Sequence, residues 1–591
     1  AHSLQTSPGG MGGVYNTRLV SYYPEGELPA SVNTLADEDL PLFTPRNQIL
    51  YSNPVNNKND NPRIFLKSIL KPLKGLEAVF EYTFDKNIYD YHWYTGQYDY
   101  TTIQGGSSKS FVDDYLRKYK QHTNYNSINV YATYNKDFGN HHFKVMAGFN
   151  QESSYQETLD TYSYNQAVLD VPAMSSGTGT IKATDSYSEY AIRGGFFRVN
   201  YNYLDKYLLE VNGRYDGSSK FPKSSRFGFF PSVSAGWQIA QERFMNSTRH
   251  WLDGLKLRAS YGVIGNQNIN PYTFTPSMSV NNKATSWIID DTYVTSISSL
   301  PALVSQNFTW EKVGTINVGL DVNLFNNRLS GVFEWYQRNT NGMLAPGVQL
   351  PAVVGASAPY QNTADMRTRG WELSLNWRDQ IGKVGYRIGF NLSDYKSEII
   401  KYDDNAATKL LSSYYPGQTL GEIWGYVVDG YYTVDDFVDT SSWQLKEGVT
   451  SINGYNVRPG DVKFKNLRDD DTSTNVITSG DNTFDNPGDR KVIGNTTPRY
   501  QYGINLGMNY AGFDLNVILQ GTGKRDYWIS NVLTFPMNGD NFVPLFEGLS
   551  DYWMPKDPDN GDWSAVNPNA KYPRIYGNRG NSGSNLRQSD K

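Results

Sequence analysis

Apolar and polar residues alternate one for one along many separate stretches of this chain, and that period of two constrains the fold more than any other feature. In Tyr502-Gly503-Ile504-Asn505-Leu506-Gly507-Met508-Asn509-Tyr510, each even position is apolar or aromatic and each odd position is Gly or Asn. Ile316, Val318, Leu320, Val322 and Leu324 alternate in the same way with Thr315, Asn317, Gly319, Asp321 and Asn323. The pattern recurs in Trp371/Leu373/Leu375/Trp377, in Phe143/Val145/Ala147/Phe149 and in Leu76/Ala78/Phe80/Tyr82/Phe84. Successive side chains of a strand point to opposite faces, so each stretch has one greasy face and one wet face. Helical spacing is scarce, and the expected fold class is all-β.

About fourteen strands are expected on this basis, near 63–70, 75–86, 125–136, 141–156, 187–203, 206–216, 227–240, 254–264, 310–325, 328–340, 368–379, 383–396, 498–510 and 513–522. Many exceed the ~9–11 residues that cross a bilayer at a tilt. Short turns such as Phe138-Gly139-Asn140, Leu204-Asp205, Asn326-Asn327 and Ala511-Gly512 follow alternate strands, with a medium link at 241–253. Long polar excursions follow most of the others, at 87–124, 157–186, 265–309, 341–367, 397–497 and 523–591. Short turns on one side and long loops on the other match the two faces of a transmembrane antiparallel β-barrel. Soluble sandwiches and propellers also alternate, but with shorter strands, and no propeller-like repeat is visible. The expected organisation is an extracellular loop segment at 1–62, a barrel portion at 63–522 and a second extracellular loop at 523–591. Lumen-facing polar positions such as Glu372, Asn376, Asn505 and Asn509 should line a wet interior or bond to a plug.

Composition agrees. The chain holds 45 Tyr, 27 Phe and 13 Trp, 14% aromatic in all, while hydrophobic residues reach only 38%. Aromatics near strand ends, among them Tyr261, Trp335, Tyr336, Trp377, Tyr510 and Trp528, sit where interfacial girdles form. With Cys at 0, neither disulfides nor thiolate metal sites are possible. A net charge of −5 shows no basic excess, which argues against a nucleic-acid partner. No stretch approaches the ~20 apolar residues of a membrane helix, and Ala1-His2-Ser3-Leu4 does not open a signal peptide.

Several runs, taken in order, resemble the SusC/RagA-type TonB-dependent transporters. They include Arg214-Tyr-Asp-Gly-Ser-Ser-Lys-Phe221, Arg226-Phe-Gly-Phe-Phe-Pro-Ser-Val-Ser-Ala-Gly-Trp237 and Leu255-Lys-Leu-Arg-Ala-Ser-Tyr-Gly-Val-Ile-Gly-Asn-Gln267. Others are Thr309-Trp-Glu-Lys312, Arg369-Gly-Trp-Glu-Leu-Ser-Leu-Asn376, Gly425-Tyr-Val-Val-Asp-Gly430, Pro459-Gly-Asp-Val-Lys-Phe-Lys465 and Asp489-Arg-Lys-Val-Ile-Gly-Asn495. The resemblance implies a barrel of about 22 strands with an N-terminal plug, coupling to TonB, and a SusD-like lipoprotein lid. It also implies import of oligosaccharides or oligopeptides, and pairing of two transporter units is open. No plug-like region or TonB box is recognisable before residue 63, and Arg587–Lys591 falls in an expected surface loop. The remaining strands are expected elsewhere, on this polypeptide or another. A passive porin or adhesin scaffold is the alternative reading.

Catalysis is not expected. The histidines His2, His92, His122, His141, His142 and His250 show no H-E-x-x-H spacing, and Gly580-Asn-Ser-Gly-Ser is out of register for a nucleophile elbow. No cofactor is required, although the acidic loop with Asp469, Asp470, Asp471, Asp481, Asp485 and Asp489 offers hard oxygen ligands for Ca²⁺. Relatives of this type carry a DxDGD-like run there, whereas this chain reads Asp-Asp-Asp-Thr, so a solvated loop is the competing reading. Trp93, Tyr94, Trp287, Trp424, Tyr431, Tyr432, Trp553 and Trp563 lie in expected surface loops and are the candidate substrate-binding residues. Flat rings suit apolar pocket walls with a few polar anchors. Packing of the loops, or contact with the lid, is the competing role for the same rings.

Overall fold

The computed structural model describes residues 2–8, 54–95, 99–100, 109–110, 114–168, 171–278, 280–281, 288–289, 292–293, 297–298, 301–306, 308–348, 350–405, 408–410, 414–452, 454–468, 475–527, 547–575 and 589–590. Its frame is one 16-stranded antiparallel sheet whose neighbours follow chain order, except that β2 and β3 share one edge of β4. The strands are β1 (His2–Pro8), β2 (Pro54–Asp60), β3 (Arg63–Leu73), β4 (Leu76–Thr95), β5 (Tyr115–Phe138), β6 (His141–Tyr164), β7 (Ile181–Tyr203) and β8 (Tyr207–Ser218). They continue as β9 (Phe227–Gln238), β10 (Leu252–Asn266), β11 (Glu311–Leu324), β12 (Leu329–Pro346), β13 (Tyr360–Ile381), β14 (Val384–Tyr402), β15 (Arg499–Tyr510) and β16 (Phe513–Lys524). All the strands expected from the alternation are present.

The apolar alternates face outward and stay exposed. On β11, Ile316, Val318 and Leu320 are 42%, 40% and 39% exposed, while Gly319 between them is buried. Phe80, Val130, Val145, Phe149, Phe197, Val233, Leu257, Phe333 and Leu506 behave likewise. A soluble sheet would bury this face; a lipid-facing wall displays it. The opposite face carries Arg258, which pairs with Asp321 at 3.1 Å and with Glu334, while Asn317 donates to Glu334 at 3.2 Å. Asn376, Gly389 and Asn505 form one cross-strand row on that wet face.

The short turns close with left-handed backbone, Leu204 and Asp205 at φ 58° and 56°, Asn326 and Asn327 at 59° and 58°, Ala511 and Gly512 at 50° and 86°; Gly, Asn and Asp adopt it most readily, while Leu204 and Ala511 are held there by the two-residue turn. Such conformations at both turn positions match the twist of the flanking strands. The link after β9 forms two short 3₁₀ turns, Ile239–Gln241 and Arg243–Thr248. Glu242 between them accepts from the Tyr207 hydroxyl at 2.7 Å, Lys206 Nζ at 3.1 Å and Trp237 Nε1 at 3.2 Å.

Two expectations need correction. First, residues 1–62 are not simply loop, because β1 and β2 pair over seven positions and β2 continues onto β4. Asn61-Pro62 separates β2 from β3, and both pair with β4; proline has no amide hydrogen to give the ladder there. The run Asn56-Asn57-Lys58-Asn59-Asp60 hides its strand because both of its faces are polar. Second, about half of each loop expected at 87–124 and 157–186 is wall. β5 and β6 are each 24 residues long, and β4 pairs with β5 from Leu76↔Tyr134 to Thr95↔Tyr115 in unbroken register.

Candidate functional site

Above the lipid-facing band, the inward face of β4–β7 becomes an aromatic wall. Counting by twos from Glu81 reaches Tyr89, Tyr91 and Trp93, and the unbroken register keeps them on the face opposite the exposed Phe80. Cross-strand pairing builds rows on that face: Trp93 opposite Arg117, Arg117 opposite Tyr162, and Tyr162 opposite Lys182. The row below holds Tyr91, Tyr119, Asp160 and Thr184, and the row above holds Thr95, Tyr115 and Tyr164. Directly opposed side chains lie about 4.5–5.5 Å apart at Cβ, close enough for rings to touch.

They do touch. Trp93 meets Tyr115 edge to face at 5.7 Å, and Tyr115 meets Tyr162 at 5.7 Å and Tyr164 at 5.6 Å. Arg117 sits among Tyr91, Tyr119 and Tyr162 at 5.4, 5.7 and 5.3 Å from their ring centres. Its guanidinium is fixed by a two-bond pair to Asp160 at 3.0 and 2.9 Å. Partial burial raises the Tyr91 and Tyr162 hydroxyls above their usual range, so both remain protonated hydrogen-bonding groups. Glu152 takes the Tyr125 hydroxyl at 2.5 Å on the same face.

Long loops build a second feature. The excursion between β14 and β15 and the segment 547–575 after β16 fold together around one core containing Tyr431, Tyr432, Phe437, Val462, Phe464, Ile477, Trp553 and Ala570. Small ladders organise it: Glu422–Tyr426 with Arg490–Asn495, and Val428–Tyr431 with Val462–Phe464. Trp553 lies on Gly460, whose φ of 89° and missing side chain both matter; a Cβ there would meet the indole at 2.3 Å. The Trp553 and Arg574 amides donate to the Tyr572 and Gly460 carbonyls at 2.9 and 2.8 Å. The two loops therefore form one body rather than separate excursions. Arg499 on β15 anchors its base to the wall through paired bonds to Asp394, both 2.5 Å.

The candidate residues separate accordingly. Trp93 stands on the aromatic wall. Tyr94 points to the other face, where burial, then the charge of Asp114, pushes its hydroxyl up to about 12. Trp424 is buried and donates to Tyr415 and Glu422, both at 2.9 Å. Tyr431 and Tyr432 are buried and bond the Ala570 and Thr450 carbonyls at 3.1 and 2.6 Å. Trp553 is 2% exposed. Tyr431, Tyr432 and Trp553 hold the two loops together, Trp424 packs with Leu410 and Tyr415 inside the β14–β15 excursion, and all four rings are buried. Trp563 is half-buried at the rim, edge-on to Trp443 at 5.1 Å and beneath Arg574 at 5.7 Å. Trp287 lies outside the described residues. The reading from sequence missed Tyr91, Tyr115, Arg117, Tyr162 and Tyr164, although aromatics at every second position in Tyr89-x-Tyr91-x-Trp93 and Tyr162-x-Tyr164 carried the signal.

Asp469, Asp470 and Asp471 also lie outside the described residues, and Asp481 is exposed, its carboxylate accepting from Asn486 at 3.1 Å. Asp489 is buried and accepts the amides of Leu467, Thr478 and Arg468 at 2.8, 2.7 and 3.3 Å. Amide donors occupy the oxygens that a cation would need, so Asp489 is a loop anchor. Among the described residues no group of three or more His, Asp or Glu is placed to hold a metal. Asp489→Ala strands three amides at about 1–3 kcal/mol each where they stay buried. We expect rapid proteolytic nicking within 466–478, read by limited trypsinolysis, with the barrel intact.

Residues 12–552 match the family model for the TonB dependent receptor-like β-barrel. The chain is 29% identical to TonB-dependent receptor P3 of Formosa agariphila, over 72% of this chain and 41% of that protein. It is 32% identical to TonB-dependent receptor SusC of Bacteroides thetaiotaomicron, over 46% of this chain and 27% of SusC. The chain thus spans less than half the length of these curated relatives. Among solved structures it resembles the RagAB peptide importer in its closed-closed state, with a TM-score of 0.66 and 21% identity, over 82% of this chain and 49% of that one. An outward apolar face, a wet inward face and this family match agree: the chain belongs to the TonB-dependent receptor β-barrel family of the outer membrane.

Proposed function

We propose that this barrel is the wall of an importer that carries an oligosaccharide across the outer membrane, drawing energy through TonB and closed by a SusD-like surface lipoprotein. The observation that carries the substrate class is the inward face of β4–β7. It is dense in rings, hydroxyls and amides; its central cation, Arg117, is paired with Asp160, and Lys182 lies over the Tyr164 ring and donates to its hydroxyl. A face of rings and hydroxyls whose cations are already engaged suits a polyhydroxylated ligand held by many weak contacts. The co-folded loop body offers the lipoprotein a preformed rigid surface. In lipid, the outer edges at β3 and β16 require strand partners, so the working unit contains further strands.

The test uses cells expressing the full-length gene product, supplied with fluorescent oligosaccharides or oligopeptides, before and after TonB depletion. Oligosaccharide accumulation that collapses on depletion is the expected result. Uptake that survives depletion would support a passive porin. Peptide-only uptake would support the second reading, favoured by the likeness to a structure described as a peptide importer.

A further inference from the structure

We propose that the upper inward wall of β4–β7 is a subsite for an uncharged pyranose segment, with Trp93, Tyr115 and Tyr162 as the stacking surface and Arg117 as a fixed hydrogen-bond donor. The inference rests on the import reading above and adds to it a location and a charge class.

Four observations carry it. The first is placement. Arg117 precedes the lipid-facing Ile128 by about eleven residues, or roughly 36 Å of strand, so this wall stands well beyond the apolar band on the side of the long loops. The second is rigidity. The wall lies on strands in continuous register rather than on loops, and contact surfaces built on regular elements hold their geometry better than loops do. The third is the state of Arg117. Asp160 already takes two of its N–H groups, so the cation is neutralised and oriented, with its remaining N–H groups able to donate to a hydroxyl. A carboxylate or sulfate on the ligand would have to compete with Asp160 for that guanidinium. The fourth is ring geometry. Tyr162 and Tyr164 lie nearly parallel at 17°, whereas Trp93 and Tyr115 meet edge to face at 78° and Tyr115 and Tyr162 are tilted at 50°. The planes of Trp93, Tyr115 and Tyr162 therefore diverge, and the surface they make is stepped. A chain of sugar rings linked at angles fits a stepped surface, with ring C–H faces on the aromatic planes and hydroxyls toward Tyr hydroxyls and Arg117. An extended peptide offers no comparable succession of flat, uncharged faces.

The experiment uses the purified full-length transporter on arrays of neutral oligosaccharides, uronate-containing oligosaccharides and short peptides. Wild type, Trp93→Ala and Tyr162→Leu are compared; the last keeps apolar bulk but removes the flat ring. Tyr187→Ala, on the outward face of β7 and 55% exposed, serves as the control. Heat-resistant migration of the folded barrel reports whether each variant folds, and Tyr162→Leu or Trp93→Phe stands in if Trp93→Ala does not. The proposal expects neutral oligosaccharides to be retained by wild type and Tyr187→Ala. Affinity should fall about tenfold or more in Trp93→Ala and Tyr162→Leu, the scale of losing one good contact. Neutral glycans bound equally well by all variants would overturn the subsite while leaving oligosaccharide import intact. A wild-type preference for uronates would overturn the charge class. Binding of peptides alone would overturn the import reading itself.

Discussion

Val318→Arg is expected to destabilise the barrel in a bilayer by about 2–4 kcal/mol, the cost of an arginine at the lipid midplane of a barrel strand. Val318 is 40% exposed. In a soluble protein an exposed valine would accept arginine with a change within about ±0.5 kcal/mol. Its neighbour Asn317 points to the wet face beside Glu334, so Asn317→Arg gains a carboxylate partner and should be nearly neutral. Reversible unfolding of full-length variants in lipid vesicles measures both. Similar small effects at the two positions would remove the membrane from the account.

The second large effect lies far from lipid. Trp553→Ala should cost about 3–5 kcal/mol, the range for deleting a buried aromatic. The loss should fall on the loop body alone, because Trp553 joins the segment 547–575 to the excursion between β14 and β15. Hydrogen exchange should show deprotection of Val428–Tyr431 and Val462–Phe464, whose ladder shares this core, while β5–β12 stay protected. Gly460→Ala should act in the same direction, since its Cβ would collide with the indole and its φ of 89° disfavours any side chain. Unfolding of the whole barrel by either substitution would show that the body and wall are one cooperative unit.

How much was legible depended on whether lipid met one face. Wherever it does, as along Ile316–Leu320 or Tyr502–Met508, polar and apolar residues must alternate, and the strand is visible in the sequence. Above the membrane both faces are wet, so the upper halves of β5 and β6 read as loop although their backbone pairing continues without a break. The same blindness hid β2. Legibility also failed where contacts are remote in sequence: nothing local in Trp553 says that its ring meets Gly460. A tryptophan in a polar loop looks the same whether its ring is a platform or a core, so the sequence alone does not separate Trp424 and Trp553 from Trp93. What separates Trp93 is its place in a run with Tyr89 and Tyr91 at every second position, a periodicity as readable as that of the lipid face. Asp489 illustrates the converse: an acidic residue in an acidic loop suggests a cation, yet backbone amides satisfy it.

The most direct measurement exploits the absence of cysteine from the sequence. Single cysteines placed one at a time from Thr315 to Val322 in the full-length protein, spin-labelled and reconstituted in vesicles, report collision with oxygen or with a water-soluble nickel chelate. Strict alternation is expected, with Ile316, Val318, Leu320 and Val322 oxygen-accessible and Thr315, Asn317, Gly319 and Asp321 reached from water. Uniform water access along the strand, or an alternation of opposite phase, would contradict a lipid-facing wall around a wet conduit.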